Sequence, residues 1–146
     1  AKEYRMIFMI CPVCNIDMLV MEYQKIEVDC CPTCHGTWFD QGELEMLTRF
    51  AGLTAVDWEN LFSPARTMEN SRRCSRCRKP MNKVRLGPSA GVVLDRCGNG
   101  HGLWFDAGEL ALAWKAVAGK LPASGDKILS FLGQALNLDN QVSKGA

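Results

Sequence analysis

The chain has 146 residues, 17 Lys and Arg against 16 Asp and Glu, and eight cysteines. That length suits one ordinary domain or two small ones, and no stretch is apolar for long enough to read as a membrane-spanning helix. A formal charge of +1 gives no reason to expect a generic polyanion binder, although the balance is uneven: residues 1–62 hold four basic and ten acidic residues, residues 63–146 thirteen and six. The start, Ala1-Lys2-Glu3-Tyr4-Arg5 and then five apolar residues to Ile10, lacks the apolar run and small-residue cleavage site of a secretory signal. The cysteines are therefore expected to be reduced, in the cytoplasm, and to hold metal instead of forming disulfides.

In chain order, the first signal is Cys11-Pro-Val-Cys14, followed by strand-like runs at Met18–Tyr23 and Lys25–Val28 and then by Cys31-Pro-Thr-Cys34. A CxxC turn places two sulfurs on one side of an ion, and a second pair from the far end of a hairpin closes the other side. Structural zinc requires four such ligands in a tetrahedron. Cys11, Cys14, Cys31 and Cys34 are therefore expected to hold one Zn²⁺, with iron as a substitute because similar knuckles also hold a single iron. Cys31-Pro-Thr-Cys34-His35 also fits the CxxCH pattern of haem attachment. That reading leaves Cys11 and Cys14 without a role. His35 is surplus to a four-sulfur site, and Cys30, adjacent to Cys31 on a strand, should face away from the metal as a small buried hydrophobe.

The knuckle leads into Trp38-Phe39-Asp40-Gln41-Gly42-Glu43-Leu44. Asp40 reads as an N-cap and Glu43 as the partner that completes a capping box, with Leu44, Leu47 and Ala51 at helical spacing and Gly52 at the C-cap. Trp38 is expected to cover the metal and pack under this helix. The capping role accounts for Glu43, so a general base beside an open zinc is not required. Val56–Phe62 reads as a further helical turn or two, and 63–73 as a polar linker.

The pattern then recurs: Cys74-Ser-Arg-Cys77, a strand-like stretch, and Cys97-Gly-Asn-Gly100-His101-Gly102-Leu103-Trp104-Phe105-Asp106-Ala107-Gly108-Glu109-Leu110. Aligned on the tryptophans, Gly100 replaces Cys34 and His101 matches His35. Cys74, Cys77, Cys97 and His101 make a Cys3His set, because three clustered thiolates without a fourth ligand would be unstable and reactive. With both sites filled, the thiolates bring the chain nearer −2. A helix with Leu110, Ala113, Trp114 and Val117 should follow, ending near Gly119. Arg72, Arg73, Arg76, Arg78, Lys79, Lys83 and Arg85 crowd the first knuckle of this copy. They could meet phosphates, an acidic partner or the acidic first unit; no aromatic interleaves them, so base stacking is not signalled. Residues 122–139 read as an amphipathic helix and 140–146 as a tail.

Cys-Pro-x-Cys followed by Cys-x-x-Cys-x-Gly-x-Trp-Phe-Asp-x-Gly-Glu-Leu resembles the transcription-factor-IIB-type zinc-ribbon domains of small prokaryotic proteins, closely over Cys11–Leu47 and with the Gly100/His101 departure over Cys74–Trp114. The resemblance implies zinc ribbons with these ligands. The expectation is a small metal-stabilised α+β protein of two tandem zinc ribbons, each a β-hairpin with a short helix, over 1–62 and 74–121. It binds two Zn²⁺, has no catalysis of its own and serves as an interaction module for a protein partner. The alternatives are a nucleic-acid-binding or transcription-associated module using 72–85, and a redox or metal-handling protein.

Overall fold

The computed structural model describes residues 9–23, 25–50, 52, 57–87 and 92–118. The expected helix at 122–139, the tail at 140–146, Ala51 and Gly119 lie outside the described residues.

Each unit contains three strands and a helix, where a hairpin and a helix were expected. The first has β1 (Leu19–Tyr23), β2 (Ile26–Cys30), β3 (Thr37–Asp40) and α1 (Glu43–Phe50). A one-turn helix α2 (Trp58–Leu61) and a short strand β4 (Phe62–Pro64) lead on. The second unit repeats the plan with β5 (Asn82–Leu86), β6 (Val92–Arg96), β7 (Gly102–Phe105) and α3 (Glu109–Ala118). The segment read as a linker thus begins inside a strand: β4 pairs antiparallel with β5, Phe62 opposite Leu86 and Pro64 opposite Val84. Proline has no N–H to give, which suits this edge position.

The units are not strung on a linker. They form a single seven-stranded sheet in the order β1-β2-β3-β7-β6-β5-β4. The junction is the antiparallel pair β3 and β7, with Trp38 opposite Trp104, Thr37 opposite Phe105 and Phe39 opposite Leu103. Because each tryptophan faces its own counterpart, the two repeats are related by an approximate twofold axis through that pair.

Strand alternation sorts the next residues onto two faces. Phe39 and Phe105 meet edge to face, with ring centroids 5.5 Å apart, in a core with Ile26, Val28, Leu44, Leu47, Leu94 and Trp114. Such a contact adds about 1 kcal/mol to the area it buries. Trp38 and Trp104 face the other way, into a cluster with Cys11, Cys31, Cys74, Cys97 and Met18. The expectation that Trp38 packs under the helix is therefore corrected: in both units the adjacent phenylalanine does that, and the indoles of Trp38 and Trp104 stay with the cysteines. Cys30 lies on the helix side, in the core, as its parity required.

Candidate metal centres

Three of the four knuckles share one backbone solution. The residue after the second cysteine returns its N–H to the carbonyl of the first: Asn15 to Cys11, His35 to Cys31 and Arg78 to Cys74, at 2.9 to 3.0 Å. These three residues adopt left-handed φ of 62°, 65° and 63°. The turn also aims backbone amides at sulfur. Val13 and Cys14 donate to Cys11 Sγ, Thr33 and Cys34 to Cys31 Sγ, and Arg76 and Cys77 to Cys74 Sγ, all at 3.2 to 3.4 Å. Such donors favour the thiolate, the form that binds metal. The fourth knuckle closes one residue sooner, Gly100 N to Cys97 O at 3.0 Å, with Gly100 at φ 80°. That tighter turn moves the ligand on to His101.

The structure brings Cys11, Cys14, Cys31 and Cys34 into one cluster and Cys74, Cys77, Cys97 and His101 into another, each with its ligand atoms within 4.8 Å of one another. Cys11 and Cys34 sulfurs are 3.6 Å apart, Cys77 and Cys97 3.8 Å. A tetrahedron of zinc–sulfur bonds near 2.3 Å has edges of about 3.8 Å. His101 presents Nδ1, 3.4 Å from Cys97 Sγ and 3.8 Å from Cys74 Sγ. The donor sets and spacing therefore fit Zn²⁺ in both clusters. With no ion, burial pushes the thiols of Cys11 and Cys34 up and Cys74 up to about 11, while the Lys79 amide leads in pulling Cys77 down to about 6. A divalent cation reverses the penalty on the buried sulfurs by binding them as thiolates. His35 stays outside the first cluster, its Nδ1 buried without a hydrogen-bond partner. Burial pushes the Cys30 thiol up to about 12, so it is an unreactive core residue.

A family model described as "Transcription factor zinc-finger" matches residues 10–49 and 73–116, more than half of the chain. The chain belongs to this zinc-ribbon family. Both matched segments contain one complete ligand cluster, so the protein carries two tandem zinc ribbons. No curated protein and no solved structure matches the chain.

Beside the ribbons' metal clusters, Asp40 and Asp106 do not cap the helices with their side chains as expected. Asp40 Oδ1 accepts from Trp38 Nε1 at 2.9 Å, and both its oxygens accept from Arg76, at 2.6 and 2.7 Å. Asp106 Oδ1 accepts from Trp104 Nε1 at 2.9 Å and lies 3.5 Å from Arg72 Nη2. Half of each capping box survives: Glu43 and Glu109 accept from the backbone N–H of Asp40 and Asp106, both at 2.8 Å. Burial tends to raise the Asp40 carboxyl, but Arg76 and the Trp38 indole outweigh it and hold it below the usual carboxylate range. Repetition of Trp-x-Asp in both copies was the available sign of this indole–carboxylate pair.

The seven clustered cations scatter. Arg76 crosses between the repeats to Asp40, and Arg78 crosses to Asn15 Oδ1 at 3.2 Å. Arg72 meets Asp106, and Lys83 meets Asp95 at 2.8 Å and Glu69 at 3.2 Å. Lys83 is only 9% exposed; burial works against its charge, and Asp95 more than restores it. Arg73 donates to the Arg78 carbonyl at 2.9 Å. Among the described residues, Lys79 and Arg85 pair with no carboxylate. No helix among the described residues is long and apolar enough to cross a membrane.

Proposed function

We propose that this zinc-ribbon protein is a non-catalytic interaction module of the cytoplasm that holds two Zn²⁺ and binds a protein partner. The observation that carries this reading is where the cations go. Arg72, Arg76 and Lys83, three of the seven cations of the basic stretch, are bound to the chain's own Asp106, Asp40 and Asp95. A phosphate backbone would have to displace those carboxylates before these side chains could release its counterions.

The absence of catalysis is supported by the donor sets. Each cluster offers four side-chain ligands, the closed arrangement of structural zinc, whereas catalytic zinc keeps a position open for water. Glu43 and Glu109, the glutamates that follow the two clusters, are occupied with backbone amides.

The test is fluorescence anisotropy with mixed single- and double-stranded nucleic acids at low and moderate salt. The module reading expects no saturable binding at about 50 mM salt. Tight binding that falls about 10³-fold by 200 mM, and that vanishes on reversing Arg73, Arg78, Lys79 and Arg85, would replace it with a nucleic-acid-binding function.

A further inference from the structure

We propose that the outer edge of β1 is a docking strip for an extended segment of another protein in which apolar residues alternate with Lys or Arg. This rests on the interaction-module reading and names its surface and partner class.

The two ends of the sheet are unlike. At one end β4 is three residues long and finishes in Pro64. At the other, β1 is five residues long, Leu-Val-Met-Glu-Tyr, with no proline and no basic residue to guard it. Among the described residues β1 pairs only with β2. Leu19 and Val20 are each 57% exposed, and the neighbouring knuckle adds Val13 at 40% and Ile16 at 39%.

The repeat supplies an internal comparison. Aligned on Cys11 and Cys74, the second unit carries Arg76, Lys79, Asn82 and Lys83 where the first carries Val13, Ile16, Leu19 and Val20. The second unit therefore carries polar residues, with Arg76 and Lys83 held by Asp40 and Asp95, at the positions where the first exposes apolar ones. The molecule also displays how such an edge is covered. β5, the counterpart of β1, is capped by the extended segment Phe62–Pro64 in antiparallel register. Adding a strand to β1 would satisfy its outward N–H and C=O groups in the same way.

Charge selects the occupant. Glu22 stands directly opposite Glu27 across β1 and β2, a like-charge pair that weakens the hairpin unless a cation comes between them. Both border a cleft of about 270 Å³ shared with Glu43, Met46 and Lys25, where three carboxylates stand against a single cation of the chain. A second copy of the chain would set this acidic half against itself, since residues 1–62 hold ten acidic and four basic residues. A basic partner relieves the repulsion instead.

The experiment titrates the full chain, loaded with zinc, with a fluorescein-labelled heptapeptide Lys-Val-Lys-Phe-Lys-Val-Lys and with its counterpart bearing Glu for Lys. The Lys peptide is expected to bind at least tenfold more tightly. N-methylation of its alternate amides, and the charge-neutral pair Leu19→Ser/Val20→Ser, should each weaken it at least tenfold. Both substituted residues are exposed, and two zinc ions per chain with unchanged circular dichroism would verify the fold. The inference is overturned if neither peptide binds or if the Ser pair leaves binding intact. It is also overturned if light scattering finds a dimer that the Ser pair dissociates, because a second copy then occupies the edge. Binding that emerges only after truncation at residue 118 overturns it too, because the chain's own end then fills the strip. A protein partner whose binding survives the Ser pair would remove this surface while leaving the module reading intact.

Discussion

Trp104 occupies the space that a side chain on Gly36 would need. A Cβ at Gly36 would lie 2.1 Å from Cζ2 and 2.4 Å from Cη2 of the indole. The relation is reciprocal: a Cβ at Gly102 would lie 2.8 Å from Trp38 Cζ2 and 2.1 Å from the Phe39 carbonyl oxygen. Each repeat thus leaves a glycine-sized gap for the other repeat's tryptophan, and the two ribbons fit together as one body around the β3–β7 junction.

Gly36→Ala should therefore destabilise the protein by about 3 kcal/mol, because an indole in a packed junction has nowhere to go. Gly42, with φ 92° and open space around it, provides the comparison. Gly42→Ala meets only the left-handed backbone penalty, about 1 kcal/mol. Thermal denaturation should separate the two, with Gly36→Ala losing roughly 5–10 °C more. Equal losses would mean that the junction is not tightly packed.

The Arg76–Asp40 pair ties the knuckle of the second unit to the strand end of the first. It is bidentate, but Arg76 is 47% exposed, which limits its strength. A double-mutant cycle with Arg76→Gln and Asp40→Asn should give a coupling of about 1 kcal/mol. The single, longer contact between Arg72 and Asp106 at 3.5 Å should give less than half of that.

His101 and His35 occupy matching positions in sequence and different positions relative to metal. His101→Ala should lose one Zn²⁺ per chain, because it removes an Nδ1 that lies within 3.8 Å of two sulfurs. His35→Ala should retain both ions, since the Cys11 cluster is complete without it. Metal analysis after gel filtration reads the difference directly.

Glu43 and Glu109 are raised from an ordinary 4.5 to about 7, chiefly by burial, with neighbouring carboxylates adding to it and the hydrogen bonds from Asp40 and Asp106 opposing it. A folded value above the unfolded one means that stability is fully present below about pH 4.5 and is lost as pH rises through 7. Glutamine keeps the acceptor oxygen for the Asp40 and Asp106 amides and cannot ionise. The advantage of Glu43→Gln/Glu109→Gln over the parent should therefore be larger at pH 8 than at pH 5.5. Both groups are partly exposed, so solvent screening reduces the gain to about 1 kcal/mol. Denaturant unfolding at the two pH values checks it; a gain that is larger at pH 5.5 would reverse the sign and contradict the assignment.

The grouping of the eight candidate ligands, the helices α1 and α3 and the tandem repeat were legible in the sequence because each depends on local spacing: Cys11 to Cys14, Glu43 to Leu47, and the return of both in the second copy. The third strand of each unit was not. Thr37-Trp38-Phe39 is only three residues between a knuckle and a helix start, and its partner, β7, lies more than 60 residues away. Gly36 and Gly102 likewise look like turn residues until the opposing tryptophan is in place. Asp40 satisfied the rule for an N-cap, but a bidentate arginine from the other repeat and the indole two residues earlier took its oxygens. Lys83 read as part of a basic surface because nothing local announces that Asp95 sits opposite it, buried, on the next strand.

The most direct test of the account is metal content combined with near-ultraviolet circular dichroism during stepwise chelation. The four tryptophans, Trp38, Trp58, Trp104 and Trp114, are all fully buried and report on the packed state of both ribbons. The account predicts two Zn²⁺ per chain and collapse of the aromatic signal as the ions are removed, because structural zinc in small ribbons supplies on the order of 10 kcal/mol of folding energy. An aromatic spectrum that persists after complete metal removal would contradict it.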